Sequence, residues 1–260
     1  MTLRLVQITD CHLFADRTVE LRDIATWPRL EAVLDVIRSE HANFDRLIVT
    51  GDIAHDEDAT TYAAFRETLA DLIDRVWIVP GNHDERDGLV SVFPERCECT
   101  DGRIVFSSTA GDWQLIGLDS QITGDVAGQL GSAQLEWLDG QLQECDRKHV
   151  IVFVHHPPVP VRCEKLDAIG LGDAQQLLDL LRSDNRVRLI CCGHVHQAST
   201  TSLDGLTVMT TPAIGPQFRP RSTETQSDLL PAAARLIELE SDGCWSSQVI
   251  RVPCPTEEIQ

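Results

Sequence analysis

Five short stretches of this 260-residue chain carry side chains that can bind a cation or move a proton. They are Asp10-Cys11-His12, Gly51-Asp52, Gly81-Asn82-His83-Asp84, His155-His156 and Gly193-His194-Val195-His196. Their donors are carboxylates, imidazoles and one amide oxygen, a mixture suited to Zn, Mn or Fe. There are more of them than one ion needs. Shared between two ions about 3.5–4 Å apart, they leave room for water and a phosphoester, the arrangement of two-metal hydrolysis. Asp10 and His12, like His194 and His196, are two residues apart, which points both side chains one way if the backbone is extended. A single histidine beside an apolar run is more often a hydrogen-bonded core residue than a ligand. The argument therefore rests on the recurrence of the pattern.

Each stretch follows an apolar run that reads as a buried strand: Leu3–Ile8, 47–49, Val76–Val79, 150–154 and Val187–Cys192. The spacing of apolar residues predicts helices over 28–39, 60–73, Ser132–Glu144 and 173–181, with Ser132 as an N-cap. Strands at 103–107 and Trp113–Leu118 interrupt the alternation. The first half is βαβαβ, which predicts parallel strands flanked by helices. Ligands of such sheets bind at the carboxyl ends of the strands, where all five polar stretches lie. Gly51, Gly81 and Gly193 each precede a polar residue, where a tight turn or close backbone approach is needed. The tail from about residue 197 is β-rich, and 216–228 reads as a polar, mobile loop. No repeat or linker divides the chain, so 1–260 is expected to be one domain.

Composition bounds the function. Asp and Glu number 41 against 22 Lys and Arg, a formal net charge of -19. That argues against gripping nucleic acid through its phosphates, but not against a small anion held by cations. No apolar run approaches the roughly 20 residues of a membrane helix, and the first residues do not read as a signal peptide. A cytoplasmic protein without membrane partners is expected. Nine cysteines make an odd set in a chain too long to need disulfide staples. Cys97 and Cys99 form a lone C-x-C, short of the four ligands of a structural zinc. The phosphate-binding loop, the G-x-S-x-G nucleophile elbow and the dinucleotide glycine fingerprint are all missing.

In order, "DCH", "GD", "GNHD", "HH" and "GHVH" resemble the motifs of the calcineurin-like metallophosphoesterases. The stretches "QITDCHLFAD", "DSQITGDVAGQLGSAQLEWLDGQL", "HHPPVPV" and "TPAIGPQFRP" are similar to the bacterial class III cyclic-nucleotide phosphodiesterases, the cyclic-AMP phosphodiesterases of the CpdA type. The resemblance implies a four-layer αββα sandwich, two mixed sheets between helices, with a dinuclear site at one edge. It implies that Asp10, His12 and His196 hold one metal, that Asn82, His155 and His194 hold the other, and that Asp52 bridges them. A hydroxide between the ions would attack phosphorus in line with the leaving group. His83 would protonate the leaving oxygen, with Asp84 holding one of its ring nitrogens. Asn82, His83, His196 and Arg219 are the expected substrate contacts. Cys11 occupies the middle of D-x-H, where a thiol would make the site oxidisable. His156 is expected to be structural, His55 to line the site mouth, and His41 and His149 to be surface or helix-end residues. The expected reaction is hydrolysis of a cyclic nucleotide, with cyclic AMP first. The alternatives are a broad phosphodiesterase or phosphatase, a nuclease, or a non-catalytic metal-binding scaffold. Nothing in the sequence specifies an oligomeric state.

Overall fold

The computed structural model describes residues 2–254. Along the chain run β1 (Leu3–Ile8), a small hairpin of β2 (Glu20–Leu21) and β3 (Ile24–Ala25), α1 (Thr26–Glu40), β4 (Arg46–Thr50), α2 (Ala59–Thr68) and β5 (Val76–Val79). Next come α3 (Arg86–Val92), β6 (Glu98–Thr100), β7 (Arg103–Ala110), β8 (Trp113–Leu118), α4 (Ser132–Glu144) and β9 (His149–Val154). The remainder is α5 (Glu164–Asp167), α6 (Ala174–Ser183), β10 (Val187–Cys192), β11 (Ser199–Leu203), β12 (Leu206–Thr210), β13 (Gln217–Phe218), β14 (Ser227–Asp228), β15 (Ala232–Leu239) and β16 (Trp245–Val252).

Two mixed sheets form, ordered β16-β15-β1-β4-β5 and β11-β12-β10-β9-β8-β7-β6. β1, β4 and β5 are parallel, as the βαβαβ pattern predicts, and β8, β9, β10 and β12 form the parallel centre of the second sheet. The C-terminal strands complete both: β11 and β12 join the second sheet, β15 and β16 the first. Strand alternation explains the layers. Leu5, Ile48, Ile151, Phe153, Leu189 and Cys191 meet between the sheets. Their neighbours Val6, Ile8, Leu47 and Val49 face α1 and α2, while Val150, Val152, Ile190 and Cys192 face α4 and α6. Each fully buried side chain of this kind contributes about 1.5–3 kcal/mol.

Some local expectations are corrected. The second helix stops at Thr68 instead of running to residue 73. Arg38 takes the Thr68 carbonyl (2.7 Å) and the Asp71 carboxylate (2.6 Å), and so closes that helix end from outside. Ser132 is the first helical residue of α4, not its cap. Gly131 occupies the cap with φ 79°, and its N–H donates to Asp173 (2.8 Å). His149 is buried at the start of β9, opposite Trp113, with the two ring centroids 5.1 Å apart. The 216–228 segment is not an open loop: Gln217 is buried, and β13 pairs with β14. No helix among the described residues is long and apolar enough to cross a membrane.

Candidate metal centre and substrate cleft

The carboxyl ends of β1, β4 and β5 meet those of β9 and β10 because buried polar groups stitch the two sheets together. Gln7 donates to Thr50 Oγ1 (2.8 Å) and to the Cys192 carbonyl (3.2 Å). His194 N–H donates to the Asp10 carboxylate (3.0 Å) across the same seam, while Gly193 N–H, donating to the His155 carbonyl (3.0 Å), holds the ends of β9 and β10 together. The backbone there is not extended, as the two-residue spacing had assumed. Asp10, His12, Asp52, His194 and His196 all have left-handed φ, between 49° and 69°. That conformation costs about 1–2 kcal/mol per residue and is concentrated at functional sites. Tight backbone bonds hold it, including Asp10 N–H to the Gly51 carbonyl (3.0 Å) and His12 N–H to the Asp52 carbonyl (2.9 Å). Two glycines permit the close packing: a Cβ on Gly81 would lie 2.1 Å from Asp52 Oδ1, and one on Gly193 would lie 2.0 Å from Thr9 Oγ1.

Asp10, His12, Asp52 and His196 each place a donor atom within 4.8 Å of the others. His196 Nδ1 donates to the Pro216 carbonyl, so its Nε2 carries a lone pair. That atom lies 3.1 Å from His12 Nε2 and 3.3 Å from Asp10 Oδ1. His12 Nε2 in turn lies 3.5 Å from Asp52 Oδ2. A second group forms on the other oxygen of Asp52. His155 Nδ1 donates to the Thr50 carbonyl (2.7 Å), which leaves Nε2 facing Asp52 Oδ1 (3.5 Å) and Asn82 Oδ1 (3.3 Å). His194 Nδ1 is 3.0 Å from the same Asn82 oxygen. In the first group the His196 lone pair faces a carboxylate and another imidazole; in the second, two imidazoles crowd one amide oxygen; Asp52 lies between the two groups. Buried lone pairs converge in this way where a cation neutralises them.

The electrostatics agree. Burial opposes ionisation of Asp10, but His196 and His155 outweigh it and hold its pKa below the usual range. Asp52 is held well below that range against burial, by His155 and His12. Burial keeps His12 far down and, with His155 nearby, takes His194 to about 3. Burial presses on His155 too, yet Asp52 raises it to about 9. A cation between Asp52 and His155 would take the place of that proton.

All seven expected ligands converge, and His83 stands beside them. It is half-buried, its N–H donates to Asp52 Oδ1 (2.9 Å), and its ring centroid is 5.0 Å from that of His12. Asp84 does not hold His83. Its carboxylate is occupied by the N–H groups of Gly81 (2.9 Å), Ile53 (2.9 Å) and Ala54 (3.3 Å) and by the Tyr62 hydroxyl (3.3 Å). It ties the loop after β4 to the loop after β5. Burial and the Asp52 charge raise its pKa to about 7. His156 lies among the histidines, but Ser120 Oγ (2.7 Å) and the Val126 carbonyl (3.2 Å) occupy its two nitrogens, so it is structural. Cys11 is buried, and burial with Asp10 pushes its thiol well up, away from the reactive thiolate. Cys97 is buried and Cys99 exposed, so the pair does not form a zinc site.

A cleft of about 300 Å³ opens beside Asn82 and His83, with Glu57, Glu85, Arg86, Gln121 and Asp125 among its walls. Arg86 makes two bonds to buried Asp119 (2.7 and 2.9 Å) and one to the Gln121 carbonyl (2.8 Å), which fixes one wall. Arg219 is exposed on the β13–β14 hairpin and is not among the cleft residues. Its neighbour Phe218 stacks on His196, with centroids 4.3 Å apart and planes at 8°. The sequence reading missed Phe218, Arg86, Asp119 and Tyr62. Only the covered aromatic beside Arg219 left any trace, as the lone apolar residue in a polar segment.

Residues 3–198 match the model of the calcineurin-like phosphoesterase family. The chain is 34% identical over 251 residues to the Escherichia coli 3',5'-cyclic adenosine monophosphate phosphodiesterase CpdA, covering 96% of this chain and 90% of that protein. It is 35% identical over 253 residues to a probable cyclic nucleotide phosphodiesterase of Synechococcus, covering 96% and 92%. Among solved structures it shares the fold of a dimetal phosphatase from Danio rerio, with TM-score 0.68, 17% identity and coverage of 96% and 99%. Paired sheets, a donor cluster at their joined edge and these likenesses converge on one conclusion: the chain belongs to the calcineurin-like phosphoesterases.

Proposed function

We propose that the protein is a metal-dependent phosphodiesterase that hydrolyses cyclic nucleotides, cyclic AMP to AMP first among them. The observation that carries this is Asp52, whose two oxygens face two separate groups of buried metal-ligating side chains beside an open cleft. Asp10, His12 and His196 would hold one ion, Asn82, His155 and His194 the other, and Asp52 both. Two divalent or mixed-valence ions, Fe, Mn or Zn by donor type, would activate water and neutralise phosphoryl oxygens. His83 borders the cleft and would give a proton to the departing ribose oxygen. Asn82, His83 and His196 would border the phosphate, and Arg219 the outer part of the nucleotide.

The cleft favours diesters over monoesters. Arg86 is the only Arg or Lys among the described residues lining it, and Asp119 holds that charge. A dianionic monoester would meet Glu57, Glu85 and Asp125 with no free cation beyond the metals. The curated cyclic-nucleotide relatives, aligned over 96% of the chain, favour the same substrate class. The acidic surface disfavours nucleic acid. We take 1–260 as one catalytic domain, since strands after residue 197 complete both sheets, and as a cytoplasmic one without membrane partners.

The test is turnover of cyclic AMP, cyclic GMP, bis-p-nitrophenyl phosphate, p-nitrophenyl phosphate and single-stranded DNA after manganese reconstitution. Diester cleavage that favours cyclic AMP and vanishes on chelation is expected. His83→Ala should keep both ions and lose about 100-fold or more on cyclic AMP, with a smaller loss on the p-nitrophenyl diester, whose leaving group needs no proton. Activity that survives exhaustive chelation would refute the proposal.

A further inference from the structure

His55 follows the β4 turn at the mouth of the site and belongs to none of the five motif stretches. Its backbone N–H donates to the Leu13 carbonyl (2.8 Å), so it is fixed by the same segment that presents His12. Its Nδ1 lies 3.1 Å from His12 Nδ1. One face of its ring stacks on His83, with centroids 4.6 Å apart and planes at 25°, and Phe14 packs against it with centroids 5.1 Å apart.

A neutral imidazole has one lone pair and one N–H. His12 Nε2 faces Asp52 Oδ2 and the His196 Nε2 lone pair across the first cation site, so as a ligand there it would turn its own lone pair to the ion and carry its proton on Nδ1. That proton points at His55 Nδ1, which must accept it. The same count excludes a third ion among His12, His55 and His83, although their donor atoms lie within 4.8 Å of one another. His12 cannot offer a second lone pair. We propose that His55 is a positioning residue for both halves of the reaction: it accepts the Nδ1 proton of His12, aiming His12 Nε2 at the first cation site, and its ring face sets the plane of His83. The inference rests on the proposed roles of His12 and His83.

Two substitutions separate the halves. His55→Phe keeps a flat ring against His83 and removes the acceptor. His55→Asn keeps an acceptor oxygen near the place of Nδ1 and removes the ring. Manganese affinity is measured by calorimetry on stripped protein, and kcat on cyclic AMP and on bis-p-nitrophenyl phosphate. In His55→Phe, manganese affinity should fall about 10–100-fold, the usual effect of losing a group that orients a ligand histidine, and excess manganese should restore turnover. In His55→Asn, manganese affinity should stay within about threefold, while kcat on cyclic AMP falls at least about tenfold further than on the p-nitrophenyl diester. Native manganese affinity in His55→Phe, or equal losses on both esters in His55→Asn, would overturn the inference. A wild-type protein that neither binds manganese nor cleaves diesters would remove the proposed function and this inference together, and that outcome is visible before any substitution is made.

Discussion

Gly81→Ala adds one methyl group where the loop after β5 passes Asp52. The new Cβ would stand 2.1 Å from Asp52 Oδ1, 2.8 Å from its Cγ and 2.5 Å from its backbone N. Real Cβ contacts essentially never fall below 3.0 Å, so the carboxylate and the Gly81 loop must part by at least 3.0 − 2.1 = 0.9 Å. The φ of Gly81 lies outside the left-handed region, so the effect is steric and not a matter of backbone strain. Metal–ligand distances tolerate about 0.2 Å, and a misplacement of about 1 Å at a reacting centre costs on the order of 100-fold in rate. That equals about 2.7 kcal/mol of transition-state stabilisation. Overpacking should cost a further ~1–3 kcal/mol of fold stability. Manganese calorimetry, kcat/KM on bis-p-nitrophenyl phosphate and denaturant unfolding would be measured together. Gly140→Ala in α4 is the control: its Cβ meets nothing within 4 Å, and a better helix former there should stabilise by about 1 kcal/mol or less. Two manganese ions bound with native affinity by Gly81→Ala, at undiminished kcat/KM, would refute the claim that close loop approach places Asp52.

Asp84→Asn puts an NH₂ group in place of one carboxylate oxygen, either the one that takes the Gly81 N–H or the one that takes the Ile53 and Ala54 N–H groups. Unfolding in urea should show a loss of about 1–3 kcal/mol for each buried donor left unpaired, and a native midpoint would count against the clamp. Arg86→Ala strips the guanidinium from fully buried Asp119. Arg103 stays 3.7 Å from Asp119, so stability should drop by about 1.5–3 kcal/mol, the contribution of a charged hydrogen bond, and KM for cyclic AMP should rise more than kcat falls, since the cleft wall loosens while the proposed metal ligands stay. Because burial suppresses the Cys11 thiolate, Cys11→Ser and wild-type protein should lose activity to peroxide equally; protection by serine would show that the thiol is reachable.

The metal ligands were legible in the sequence because ligand chemistry restricts residue type, and because each buried strand ends where its polar residues begin. Asp10, His12, Asp52, Asn82, His155, His194 and His196 stood out that way together with His83, Asp84 and His156, and it was the resemblance to the family motifs that set the seven proposed ligands apart. Strands such as β9 and β10 were legible as continuous apolar runs, because both of their faces are buried, one between the sheets and the other under helices. How the donors meet was not legible. The left-handed turns at Asp10, His12, Asp52, His194 and His196 follow from contacts between two sheets, and the two-residue spacing suggested extended backbone instead. The partner of Asp84 was misjudged because adjacency in sequence to His83 says nothing about a carboxylate that points back toward Ile53 and Tyr62. Phe218 on His196, Arg86 on Asp119 and His55 on His83 join residues 22 to 33 positions apart. Side-chain type and local period are written in each segment, but pairings between distant segments depend on how the whole chain packs. The sequence by itself therefore determined which atoms can bind the ions. Only the tertiary structure decided which lone pairs face one another and which neighbours hold them there.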